Sequence, residues 1–196
     1  QTGSGMHVHL SAFDANNNNI FASSKEEVST QLGYAIGGLQ KTTYDNFLIF
    51  ASNINAYRRY LPDQFVPVNK SWGANNRSVA FRIPRSNNNS KRIEHRVAGA
   101  EANPYLVLAA ILAGIHLGFK DKILPSDFRI DNACTDLDSN MPRNIEQSIQ
   151  LFENSEFCKK YFSEEYVKIY SDFKRKEIEL FNSEISDIEY KWYLNL

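Results

Sequence analysis

The chain has 196 residues, of which 42% are hydrophobic and 13% aromatic, enough for one domain with a real core and too apolar for disorder. A formal net charge of −1 excludes a global basic or acidic field, so binding to nucleic acid or a membrane surface would need a local patch. Two cysteines, Cys134 and Cys158, with no Cys-x-x-Cys make no disulfide framework, and a reducing cytoplasm is the expected compartment.

The chain opens Gln1-Thr2-Gly3-Ser4-Gly5, with no initiator Met and directly on a glycine-rich turn, and is expected to be a piece of a longer protein. Met6, Val8 and Leu10 then alternate with His7 and His9, which predicts a strand with both imidazoles on one face. The run Asp14 to Asn19 predicts a turn. Ser24 is placed to cap a helix starting at Lys25, with Glu26 and Glu27 suiting its positive end. Helical patterning continues to about Arg59, with interruptions expected at Gly37-Gly38 and Asn53. Leu61 to Ala74 carries two prolines and a glycine and reads as a loop long enough to have a function.

Ser78 to Ile83 and Lys91 to Val97 both alternate, and predict neighbouring strands joined by the polar turn Pro84 to Ser90. Asn103 followed by Pro104 predicts a capped helix running to about Gly118. No apolar run reaches membrane-spanning length, and the longest, Leu106 to Leu117, suits a core helix. From Pro142 onward the chain reads as helical, with Ser163 opening the longest helix and Ser186 a last short one. The architecture is α+β, with antiparallel strands in the N-terminal half, helices packed on them, and a helical tail.

Chemistry concentrates on two stretches. His7 and His9 could bind a metal or a phosphate, and the preceding glycines let backbone approach a ligand closely. Arg92, Glu94 and Arg96 share one strand face, with Arg77, Arg82 and Arg85 on or beside the adjacent strand. Such a row is as often a solvated face as a site. Five clustered arginines in a chain without excess positive charge nevertheless call for an anionic partner, a polyphosphate or a carboxylate. Glu94 among them would either neutralise two arginines or hold a divalent cation such as Mg²⁺. Arg58, His95, His116, the two cysteines and the run Lys174 to Glu177 read as solvated or packing residues. No aromatic platform is interleaved with the arginines, which argues against a nucleic-acid surface.

Together, Gly3-Ser-Gly-Met-His-Val-His9, Asn76-Arg77-Ser78, Arg82-Ile-Pro84, and Arg92-Ile-Glu-His-Arg96 followed by Ala102-Asn-Pro-Tyr105 resemble the C-terminal part of the glutamine synthetase catalytic domain. The resemblance is close over residues 1–118, which would hold the active-site strands and core helices, and is one of character only over the tail, 119–196. It implies an ATP-dependent ligase that joins the γ-carboxylate of glutamate to ammonia or an amine through a γ-glutamyl phosphate. By the same resemblance, His7 and Glu94 would ligate Mg²⁺ or Mn²⁺. His9, Ser11, Arg82 and Arg92 would bind ATP, and Gly3, Arg59 and Arg96 glutamate, while the catalytic Arg77 would face the phosphates. The family's N-terminal domain and its other metal-binding carboxylates would lie upstream, and a large ring-shaped homo-oligomer is implied, with Tyr190, Trp192, Tyr193 and Leu196 as either a subunit contact or a helix docked on its own domain. The loop Arg59 to Pro67 corresponds to a flap that carries a Glu in ammonium-using members, where this chain has Phe65. A phenyl ring cannot attract ammonium or take its proton but accepts an alkyl amine, so the chain resembles the γ-glutamylpolyamine branch more than true glutamine synthetases. A non-catalytic structural relative is the remaining alternative, and the retained arginines, His7 and Glu94 argue against it.

Overall fold

The computed structural model describes residues 4–23 and 28–194. Gly3, the helix start at Ser24 to Glu27, and Leu196 lie outside the described residues. The described chain forms a four-stranded sheet with helices packed on one side and a helical C-terminal part.

The strands are β1 (Val8–Leu10), β2 (Trp72–Ala74), β3 (Phe81–Ile83) and β4 (Ile93–His95), in the order β1-β4-β3-β2. β4 pairs antiparallel with both β1 and β3, as expected. β2 arises inside the segment read as a loop, and it runs parallel to β3, so the sheet is mixed. Three residues with a glycine in the middle are too short to show alternation, and only the pairing to β3 creates this strand. The register aligns His9 with Glu94 and Glu94 with Arg82, placing three chemically active side chains abreast on one face. The other face carries Phe81, Ile93 and His95 into the core.

The first helical region is divided into α1 (Thr30–Thr42), α2 (Phe47–Phe50) and a 3-10 turn (Ile54–Arg59). Ser29 caps α1 by accepting from the Leu32 amide at 3.1 Å, and Asn53 caps the 3-10 turn. The break at Asn53 was expected. The break at Gly37-Gly38 is absent, and α1 passes through both residues without interruption. Gly38 packs against α3 (Pro104–Asp121), and Gly37 against the Ile123 carbonyl just beyond it. A Cβ on Gly38 would lie 2.1 Å from the Gly114 carbonyl oxygen, and one on Gly118 2.0 Å from that of Tyr34. The two backbones therefore touch, and this close crossing offsets the roughly 1 kcal/mol of helix propensity each glycine forfeits.

α3 starts as predicted, with the Asn103 side chain accepting from the Tyr105 and Leu106 amides. It ends three residues later than expected, at the left-handed Lys122. By length and composition alone this helix could cross a membrane, contrary to the sequence expectation. Its Val107, Ala110, Ile111 and Gly114 face is instead buried in the protein core, against α1. Residues 122–144 are irregular apart from a 3-10 turn at Ala133–Thr135, so the tail is helical only from α4 (Ile145–Asn154) onward. α5 (Glu156–Phe162), α6 (Glu164–Ser183) and α7 (Asp187–Tyr193) follow, with Ser163 and Ser186 at the expected caps. Lys174, read as solvated, is buried over Tyr170 and paired with Glu177. Tyr190, Trp192 and Tyr193 are exposed, so α7 does not dock on this chain.

Gly38→Ala should lower stability by about 3 kcal/mol, because a backbone carbonyl cannot rotate away as a side chain can. Urea denaturation of the purified chain measures this.

Candidate active site

The Glu94 carboxylate is the centre of the site. It is 3% exposed, yet it carries its charge between two guanidinium groups. Arg82 Nη1 donates to Oε2 at 2.5 Å and Arg96 Nη1 donates to Oε1 at 2.7 Å. Burial by itself would raise the carboxyl pKa, but the hydrogen bonds and charges of Arg82 and Arg96 outweigh it and hold the group below its ordinary value. The charged row is not a solvated face at Glu94 and Arg96, which are buried, whereas Arg92 is partly exposed.

His7 lies on the same side, with Nδ1 3.2 Å from Glu94 Oε1 and 3.3 Å from Arg96 Nη1. Burial, and then the Arg96 charge, lower its pKa, so the imidazole is neutral near pH 7 and keeps a lone pair. Two donors bound cis to one octahedral ion at about 2.1 Å stand about 3 Å apart, and the separation of His7 Nδ1 and Glu94 Oε1 fits that requirement. Among the described residues no group of three or more His, Cys, Asp or Glu could hold a metal. His7 and Glu94 are the pair a metal could use among the described residues, and a guanidinium nitrogen, Arg96 Nη1, contacts both.

The Nε atoms of Arg82 and Arg96 are buried and have no hydrogen-bond partner among the described residues. An unpaired buried donor is costly, and two of them beside one carboxylate suit an oxygen-rich anion. Arg82 is also held by Asn75, whose Oδ1 accepts from Nη2 at 2.8 Å. Asn75 adopts the left-handed conformation with φ 48°, which asparagine tolerates better than most residues. Asn75 lies outside the sequence motifs named above, and no local pattern marks this contact.

His9 and Ser11 line the rim. Arg92 Nε lies 3.3 Å from His9 Nδ1, and Ser11 donates to the Lys91 carbonyl at 3.1 Å. Arg77 is exposed on the β2–β3 connection, whose backbone is fixed by Asn76 bonds to Ser78 and Asp131. Arg59 donates to the Val97 carbonyl at 2.7 Å, the Arg96 carbonyl at 3.1 Å and the Tyr60 hydroxyl at 3.0 Å. Gly5 leaves room beside it, since a Cβ there would sit 2.8 Å from Arg59 Nη2 and the guanidinium would have to shift. Thus the structure brings His7, Glu94, Arg82, Arg96 and Arg59 together, with His9, Ser11 and Arg92 adjoining.

Phe65 stands apart from this cluster on the 61–67 loop. Its ring is 74% exposed, so this chain presents the ring without enclosing it. Both Asp63 (φ 63°) and Phe65 (φ 53°) are left-handed, a conformation that costs a non-glycine residue roughly 1–2 kcal/mol and concentrates at functional segments. Arg58 is exposed, as expected. His95 is fully packed between Phe50 and Phe81, with ring centroids 4.7 and 5.5 Å away. His116 is a correction: it is exposed and bonded to the Tyr161 hydroxyl at 2.7 Å, not buried within the core.

With this geometry in place, similarity to known proteins can be assigned. The chain belongs to the glutamine synthetase family, whose catalytic domain matches residues 1–193. It is 37% identical to γ-glutamylputrescine synthetase PuuA of Escherichia coli (strain K12), over 98% of this chain and 41% of that protein. It is 32% identical to a glutamate–isopropylamine ligase of a Pseudomonas species, over 100% of this chain and 44% of the ligase. The glutamine synthetase of Aquifex aeolicus is 34% identical over 90% of this chain and 40% of that enzyme. The ligand-free structure of GmaS superposes with a TM-score of 0.86 at 26% identity, covering 100% of this chain and 46% of the solved one. The chain thus spans less than half the length of the relatives it matches.

Two predictions follow from the buried charges. Glu94→Gln should destabilise the chain by about 3–5 kcal/mol at pH 7, since it leaves two guanidinium groups uncompensated; thermal or urea denaturation reads the loss. Burial pushes the His95 pKa down to about 3, well below the ordinary 6.5. The unfolded chain therefore binds the extra proton first, and stability falls as pH drops from 6.5 towards 3, by at most about 1.4 kcal/mol per pH unit. His95→Leu should flatten that part of a stability–pH profile.

Proposed function

We propose that the complete protein carrying this chain is an ATP-dependent ligase that couples the γ-carboxylate of glutamate to an alkyl amine of the polyamine type. The observation that carries the ligase reading is the buried Glu94–Arg82–Arg96 cluster with its two Nε donors unpartnered among the described residues. Membership of the glutamine synthetase family supports the same reaction class.

In this reaction a γ-carboxylate oxygen of glutamate attacks the γ-phosphorus of ATP and the bond to ADP breaks. The amine nitrogen then attacks the acyl carbon, phosphate leaves, and the amine loses a proton. The first step brings one anion against another, so fixed positive charge is the main requirement. Arg77, Arg82 and Arg92 would face the phosphates, with His9 and Ser11 beside the nucleotide. Arg59, Arg96 and Gly3 are assigned to glutamate. His7 and Glu94 would hold Mg²⁺ or Mn²⁺, which supplies further charge neutralisation when bound. The remaining metal ligands would come from upstream carboxylates, and a cytoplasmic homo-oligomer is the expected setting.

The amine is assigned from Phe65. An exposed ring on a strained loop offers apolar contact to an alkyl chain and no carboxylate for ammonium. Three relatives are named for amine-derived products or substrates, namely putrescine, isopropylamine and ethanolamine, which supports the reading. The alternative within the class is glutamine synthetase itself, favoured by relatives such as the A. aeolicus enzyme.

Steady-state kinetics of the complete protein with ammonium, putrescine, isopropylamine and ethanolamine decide between them. The expected result is a kcat/KM at least tenfold higher for one of the alkyl amines, and a clear preference for ammonium would sink the amine reading. The 196-residue chain alone, holding two metal ligands, should show no ATP hydrolysis that depends on glutamate and amine.

A further inference from the structure

Both buried cysteines lie outside the mechanism. Cys134 is 2% exposed and sits in the 3-10 turn Ala133–Thr135, within the irregular segment that follows α3. Its sulfur lies 3.7 Å from the Val66 carbonyl of the Phe65 loop and 3.6 Å from the Ser78 carbonyl next to Arg77. Its carbonyl accepts from the Asp63 amide at 3.2 Å, on the other side of Phe65. The neighbouring Ala133 amide donates to the Ser78 hydroxyl at 2.9 Å. Asn69, at the end of the same loop, donates to the Ala133 and Asp136 carbonyls at 2.8 and 2.7 Å.

We propose that the Ala133–Thr135 turn is the positioning element of the amine site, and that the Cys134 thiol ties the Phe65 loop to the Arg77 loop. The proposal rests on the reading of Phe65 as the amine determinant. The physical reason is the backbone of the loop itself. Asp63 and Phe65 both adopt a left-handed conformation, which Asp tolerates but Phe does not favour, and such a loop keeps its shape only where something external holds it. The Cys134 carbonyl holds it at Asp63 and the thiol at Val66, one residue either side of the Gln64-Phe65 pair. Burial raises the thiol pKa, which keeps the S–H as a donor. One S–H serves two carbonyls belonging to two different loops, so a shift of either loop is felt by the other.

The test uses the complete protein and the alkyl amine it turns over best. Cys134→Ala should raise KM for that amine about tenfold, leave KM for ATP within twofold, and leave the melting temperature within a few degrees. Cys134→Ser, which keeps a donor, should recover much of the amine KM. Phe65→Ala is measured alongside. If Phe65→Ala shifts the amine KM and the folded Cys134 variants do not, the positioning role of Cys134 is wrong. If neither shifts it, the Phe65 reading is wrong and the proposal fails with it. Should Cys134→Ala not fold, thiol labelling of the unmodified protein decides, read by peptide mass spectrometry. Cys134 should label through local loop opening, at least fivefold faster than the buried Cys158 and slowed by saturating amine with glutamate and nucleotide. Labelling of both cysteines at one rate, tracking global unfolding, would overturn the proposal.

Discussion

A carboxylate buried between two guanidinium groups organises this protein. Glu94 sits on the inner strand β4, and its two oxygens are claimed by Arg82 from the adjacent strand and by Arg96 from just past its own strand end. Removing three charges from water costs several kcal/mol per ion, and close pairing returns only part of that. An all-apolar cluster would serve stability as well or better. Charges retained here therefore point to use, and the two buried Nε donors find no partner among the described residues.

The rest of the fold serves to hold this cluster in register. β1 and β3 flank β4, so that His9, Glu94 and Arg82 stand abreast, while the opposite face drives Phe81, Ile93 and His95 into the core against Phe50. Behind that layer α1 and α3 cross with backbones in contact through Gly38 and Gly118. Rigid support on this scale suits chemistry in which one anion must be brought against another, since electrostatic stabilisation depends on dipoles and charges that do not move. The Phe65 loop is built differently: exposed, strained, and held at its base by the Ala133–Thr135 turn. On the proposed function, a rigid phosphate end and a separately tethered amine end would allow the second substrate to change without disturbing the first.

The two ends also differ in how readable they were. The glycine–histidine strand, the Arg-Ile-Glu-His-Arg strand and the capped Asn103-Pro104 helix were all legible, because each depends on local rules: period-two alternation and side-chain capping. Family membership followed from the same motifs. The parallel β2 was hidden in a loop, because three residues carry no period. The glycines of α1 were misread as breaks, since a glycine that ends a helix and one that lets another helix approach look alike in isolation.

The sequence by itself determined the family, the α+β class and the identity of the charged groups, because motif order and short-range periodicity are properties of neighbours along the chain. Only the tertiary structure decided which charges are buried, that Arg96 bridges His7 and Glu94, that Asn75 holds Arg82, and that Cys134 lies beneath the Phe65 loop. These contacts join residues as far apart as His7 and Arg96, or Val66 and Cys134. Burial and long-range contact depend on what the remainder of the chain places nearby, and no local pattern encodes that.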